Sequence, residues 1–157
     1  MKRKMTGLAL LAVTVVAAGC GGDGGDEAQA LTKADYLKQG NKICTDFNKD
    51  VGKDAEKIFA GLQSEKDLTA EKARAFFDVA LPKFDAVVED LDALGPPKGD
   101  EETVQAIIDA GKADSLKIEE AEDDDKAILA FVLKDTATPA FDQKADAYGL
   151  GVCGTKN

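Results

Sequence analysis

The sequence predicts an all-α protein, an antiparallel bundle of about four helices behind a disordered N-terminal tether. Three observations predict it. Apolar residues recur three or four positions apart through four long segments, the spacing that gives a helix one apolar face. Strict apolar–polar alternation, the mark of a strand, is missing. A glycine- and aspartate-rich tract, GGDGGDEAQA at 21–30, precedes the first amphipathic segment and carries almost nothing apolar.

The chain starts basic, Met1-Lys2-Arg3-Lys4, and continues without charge from Gly7 to Ala18. An apolar run of about 12 residues extends roughly 18 Å as a helix, while a spanning helix needs about 20 such residues. The pattern fits the n- and h-regions of a secretory signal. Ala17-Ala18-Gly19-Cys20 follows, and small residues before a cysteine resemble the lipobox of bacterial lipoprotein precursors. Ala17 departs from that pattern, where Leu or Val is commoner. The resemblance implies cleavage after Gly19 and a diacylglyceryl thioether on Cys20, with acyl chains holding the protein to the membrane. The alternative is an ordinary secreted protein cut at an A-x-A-like site; both readings place the domain outside the cytoplasm. Residues 1–19 then form the signal peptide, 20–30 the lipidated cysteine and a linker, and 31–157 the helical domain. A Gly-rich linker of this size spans about 17 to 20 Å.

Three cysteines in an exported chain leave one over. Lipidation of Cys20 accounts for it, and an oxidising compartment favours pairing of Cys44 with Cys153. The alternative is two free thiols. A loop of about 110 residues closed by this bond would gain roughly 4 to 5 kcal/mol on the loop-entropy argument.

In the first helix Thr32 is the expected N-cap, Asp35 occupies the N3 position of a capping box, and Leu31 and Tyr36 have the spacing of a hydrophobic staple. Leu37, Gly40, Cys44, Phe47, Val51, Ile58, Phe59 and Leu62 continue the apolar stripe, with Gly52 weakening the middle and Gly61 as the stop. A second helix is expected from Thr69 to Leu94. Thr69 caps it, Glu71 suits the positive end of the dipole, and Pro82 should kink it. Phe76, Phe77, Ala80, Leu81, Phe84, Val87, Val88, Leu91 and Leu94 form its apolar face. GPPKGD breaks the chain. Asp100 is the expected cap of a third helix, whose apolar positions are Val104, Ile107, Ile108, Gly111, Ser115 and Ile118. After the acidic run Glu119 to Asp125 comes a fourth helical segment carrying Ile128, Leu129, Phe131, Val132, Phe141, Ala145 and Tyr148. Thr138-Pro139 interrupts it, as an N-cap followed by a proline at N1. Gly149 ends it, and the tail LGVCG brings Cys153 back towards Cys44.

The residue types exclude whole classes of chemistry. There is no His, so catalysis by a His-assisted nucleophile and a Glu-x-x-His di-iron site are both ruled out. The only methionines, Met1 and Met5, leave with the signal, which removes Met-ligated haem and copper. Zinc would find only carboxylates and two cysteines expected to be oxidised. The glycines at 21–25 lack the strand and helix of a phosphate-binding loop. Signal removal takes three of the 20 basic residues against 30 acidic ones and moves the net charge from −10 to −13. Nucleic acid is therefore no partner, and a polybasic patch for anionic lipid is missing.

Three patterns resemble sites. Asp46-x-Asn48-x-Asp50 begins like an EF-hand loop, but position 6 is Val51 and position 12 is Lys57, so a polar helix face is the better reading. The run Glu119 to Lys126 would hold a hard cation weakly, although such runs between helices are usually solvated turns. The phenylalanine stripe of the second helix is read first as core, with an apolar pocket as the alternative.

LTKADYLKQGNKIC at 31–44 and YGLGVCG at 148–154, with the lipobox at Cys20, resemble small uncharacterised lipoproteins of high-GC Gram-positive (actinobacterial) bacteria. The resemblance implies location and the disulfide. The expectation is a non-enzymatic lipoprotein, without cofactor or metal, tethered to the outer face of the membrane. It would bind an unidentified envelope protein or small ligand. A carboxylate-based, cation-responsive domain is the alternative, and a carboxylate-dependent enzyme is a third.

Overall fold

The computed structural model describes residues 31–134 and 136–154; the expected signal peptide, Cys20 and linker lie outside them. The described residues hold five α-helices and no strand: α1 (Lys33–Ile58), α2 (Ala70–Ala93), α3 (Glu101–Glu120), α4 (Asp125–Lys134) and α5 (Pro139–Tyr148). A single 3-10 turn, Glu65–Asp67, lies between α1 and α2. The all-α bundle is as expected. The expected interruption ahead of Pro139 divides the fourth helical segment into α4 and α5. No described helix is long and apolar enough to cross a membrane.

Contacts between helix ends fix the antiparallel order. Tyr36 at the start of α1 donates its hydroxyl to the carbonyl of Leu91 at the end of α2 (3.1 Å), while Lys72 near the start of α2 reaches the carbonyl of Ile58 (3.0 Å). Ser115 bonds Asp85 across α2 and α3, and Arg74 meets Glu122 just past the end of α3. Tyr148, the last residue of α5, donates to Asp100 at the start of α3 (2.7 Å).

The N-terminal caps of α1 and α2 form as expected. Thr32 accepts the N–H of Asp35 and Thr69 accepts that of Lys72. Pro82 sits inside a continuous α2. Its ring and the residue four before it, Asp78, are both exposed, so water can satisfy the carbonyl that loses a helical partner.

Three expectations need correction. The first helix stops at Ile58, with Phe59 as its C-cap; Gly61, at φ +82°, serves the turn that follows. Asp100 makes no side-chain cap, because its carboxylate is taken by Tyr148 and by Lys33 at 3.5 Å. Glu101 instead folds back to accept the N–H of Gly99 (2.8 Å), which holds its carboxyl below the usual range. Thr138 makes no side-chain cap on α5 either. That role falls to Asp114 on α3, fully buried, whose Oδ2 accepts the N–H groups of Ala140 and Phe141 (2.9 Å each). The other oxygen of Asp114 accepts from Lys117 (2.8 Å).

The core divides along α2. Its second half packs Phe84, Val87, Val88 and Leu91 against Tyr36 and Cys44 of α1, Ile107 and Ile108 of α3, and Phe141 and Leu150. Its first half packs Ala73, Phe77 and Leu81 against Ile118 of α3 and Ile128 of α4. The C-terminal tail lies on α1. Gly149 ends α5 at φ +109°, and Leu150 is fully buried against Gly40, where a Cβ would stand 2.7 Å from its Cδ2. Asn41 accepts the N–H of Val152 (3.1 Å), Asn48 donates to its carbonyl (3.1 Å), and Cys153 is disulfide-bonded to Cys44.

Candidate functional site

All seven phenylalanines belong to two chains of ring contacts. One runs Phe47–Phe84–Phe141, with centroids 6.1 and 5.0 Å apart. The other runs Phe59–Phe76–Phe77–Phe131, at 5.4, 5.3 and 6.2 Å. Between them lies an apolar cavity of about 180 Å³. Phe47 and Val51, one turn apart on α1, line one wall. Phe76, Phe77, Ala80, Leu81 and Phe84 of α2 line the next, because spacings of one, four and five residues keep them on one helix face. Ile118 of α3 and Ala137 and Thr138 before α5 complete it. The stripe expected as core thus does both jobs: Phe77 and Phe84 are buried, while Phe47 and Phe76 remain half-buried around the opening.

Among the described residues nothing titratable lines this cavity, and the one polar side chain on its walls is that of Thr138. The nearest charged pair on the α1–α2 seam is Asp54 with Lys83 (2.5 Å), one turn beyond Val51. Lys83 and Lys57 together hold the Asp54 carboxyl down to about 2. Such an arrangement offers apolar contact and no acid, base or nucleophile. Apolar cavities of about 150 Å³ in other proteins stay dry and bind benzene or xenon, so this volume suffices for an aromatic ring or a short length of alkyl chain.

A second, more open groove of about 370 Å³ adjoins it. Phe59, Leu62, Leu68, Val132 and Leu133 form its apolar part, and Gln63, Ser64 and Glu65 its polar end. Asp67 shapes that end by accepting from the backbone of Gln63 (3.1 Å) and Ser64 (2.9 Å) and from the Ser64 hydroxyl (3.1 Å).

Of the residues singled out in the sequence, Cys44 and Cys153 come together, with Cα atoms 5.0 Å apart. Cys20 lies outside the described residues. The EF-hand-like carboxylates are spread along α1: Asp46 pairs with Lys42, Asp50 with Lys53, and Asn48 holds the tail. The acidic run forms a junction between helices. Asp124 caps α4 by accepting from Lys126 (2.8 Å) and Ala127 (3.1 Å), which lowers its carboxyl's affinity for protons. Asp125 pairs with Arg74 (2.5 Å). Among the described residues, no group of three or more Cys, Asp or Glu side chains is placed to hold a metal ion. The cavity itself needed tertiary information: the spacing of the phenylalanines shows a helix face, but not where two helices fail to close.

No protein-family model matches this chain, and neither a curated protein nor a solved structure matches it.

Proposed function

We propose that the chain is a lipid-anchored, extracytoplasmic protein whose helical domain binds a small apolar ligand without acting on it chemically. The cavity between the two phenylalanine chains carries this reading: about 180 Å³ of apolar space, reached between half-buried rings, with no titratable group on its walls among the described residues. The small-residue sequence before Cys20 and the short apolar run ahead of it support the location. No specific observation favours cation binding, since Asp124 and Asp125 are engaged in capping and with Arg74.

Toluene titrated into the purified domain and followed by ligand-detected NMR should bind saturably. Ala80→Phe, which fills the cavity from α2, should abolish the binding; absence of saturable binding to the unaltered protein would sink the proposal. Anchoring is tested separately. Cys20→Ser should release the protein from the membrane fraction or block its processing, and unchanged retention would refute lipidation.

A further inference from the structure

We infer that the site takes a single-chain amphiphile with a cationic or zwitterionic head, its tail in the inner cavity and its head in the outer groove. This deepens the ligand-binding proposal and rests on it.

The two spaces are one ring pair apart. Phe59 lines the groove and Phe76 the cavity, with their centroids 5.4 Å apart. Neither ring is locked in the core: both are partly buried, and Phe59 sits at the C-cap of α1, two residues before Gly61 at positive φ. On the α4 side the division is equally thin. Phe131 contacts Phe77 of the cavity wall, while the next residue, Val132, lines the groove. Small rotations of Phe59 and Phe76 therefore join the two spaces into one elongated site.

Polarity increases in one direction along it. Among the described residues the inner end has one polar group, the Thr138 hydroxyl; the outer end finishes in Gln63, Ser64 and Glu65. A ligand apolar throughout would lay apolar surface along the exposed, hydrated outer end, and one polar throughout would strand polar groups among the phenylalanines without partners. A tail with a head meets both requirements. A water-sized group takes roughly 30 Å³, so the inner cavity accepts about six such groups of a chain, and the groove holds the remainder and the head. Two diverging chains would not follow so narrow an inner space.

The charge of the head follows from what surrounds it. Among the described residues Glu65 is the one charged residue lining the groove, and the whole chain carries −10. A carboxylate or phosphate monoester head meets repulsion there, and a quaternary ammonium meets attraction.

The test is calorimetric titration of the folded domain with alkyltrimethylammonium ions and with fatty-acid carboxylates of matched length. Butyl, pentyl and hexyl chains, which the inner cavity can hold, are used at low salt. Affinity for the cations should rise roughly fourfold per added methylene, the factor that burial of one CH2 carries. It should exceed that of the matching carboxylate by about tenfold. Glu65→Lys, an exposed change, should reverse the preference. Ala80→Phe should remove the chain-length dependence; if circular dichroism shows that variant misfolded, Val51→Phe fills the same cavity from the less buried wall. Equal binding of the two heads, indifference to Glu65→Lys, or a length dependence that survives both filling variants overturns the inference. Saturable toluene binding without any amphiphile binding overturns it while leaving the ligand-binding proposal standing; failure of both probes overturns both.

Discussion

The Oδ2 atom of Asp114 stands 2.9 Å from the backbone nitrogen of Phe141, 27 residues further along the chain, and both residues are buried. A carboxylate on the third helix thereby supplies the N-terminal cap of the fifth. Removing it strands two backbone donors at a buried helix end. Asp114→Ala should cost about 2 to 4 kcal/mol in urea unfolding. Asp114→Asn keeps an acceptor and should cost less. Lys117→Ala should cost under about 1 kcal/mol, because that ammonium is half-exposed. A neutral Asp114→Ala would show that the cap does not stabilise the fold.

Glycines on the helices separate by what a methyl group would meet. At Gly111 a Cβ would stand 2.6 Å from Val88 Cγ2 and 3.2 Å from Phe141 Cδ2. Val88 is buried and its β-branched side chain is stiff. Gly111→Ala should destabilise by about 1 to 3 kcal/mol. Gly52, exposed in mid-helix with nothing within 4 Å, should instead stabilise by roughly 0.5 to 1 kcal/mol when changed to Ala. Thermal melts of the two variants should move in opposite directions.

The disulfide joins residues 109 apart in sequence. Reduction, or Cys44→Ser with Cys153→Ser, should lower stability by roughly 4 to 5 kcal/mol on the loop-entropy argument. Denaturant titrations with and without reductant measure this. Equal midpoints would mean that the tail is held by Leu150, Asn41 and Asn48 alone.

Stability should fall at both ends of the pH scale for different reasons. Asp54 is held down to about 2 by Lys83 and Lys57, and Asp124 and Glu101 are lowered by backbone N–H groups. Groups depressed in the folded state stabilise it above their unfolded pKa values, near 4. Their contribution disappears as pH falls from about 4 towards 2. Tyr36 goes the other way: burial, then the nearby Asp92, pushes it up to about 12, and burial and Asp100 raise Tyr148 as well. Those tyrosines favour the folded state below their unfolded pKa, near 10, and lose that contribution as pH rises from about 10 to 12. Tyrosinate absorbance should therefore appear together with loss of helical circular dichroism. Ionisation of both tyrosines with full helicity retained would contradict this.

The parts of the fold that were legible in the sequence are those whose cause lies within one helical turn. Thr32 with Asp35 and Thr69 with Lys72 are separated by three residues, and both caps are where the pattern puts them. Gly149 ends its helix because a positive φ suits a residue without Cβ. Thr138 and Asp100 look like caps by the same local rule, yet distant residues decide their fate. Asp114 reaches the donors at the start of α5, and Tyr148 occupies the carboxylate of Asp100. Asp114 lies between the apolar positions Gly111 and Ile118, and only the contact with α5 gives a carboxylate a reason to be there. The cavity was illegible for a related cause. The repeat that places Phe76, Phe77 and Phe84 on one face is the same whether the opposing helix fills the space or leaves it open.

The tail strapped to α1 also determines how the domain bears a pulling load. Force entering at Leu31 passes along α1 to Cys44, crosses the sulfur bridge to Cys153 and leaves near Gly154. The chain between the two cysteines is short-circuited. A tug between the two ends of the described domain stretches only the first three turns of α1, and both phenylalanine chains lie off the load path, apart from the docking of α1 itself. The apolar cavity is in this sense mechanically insulated from strain applied at the start of α1.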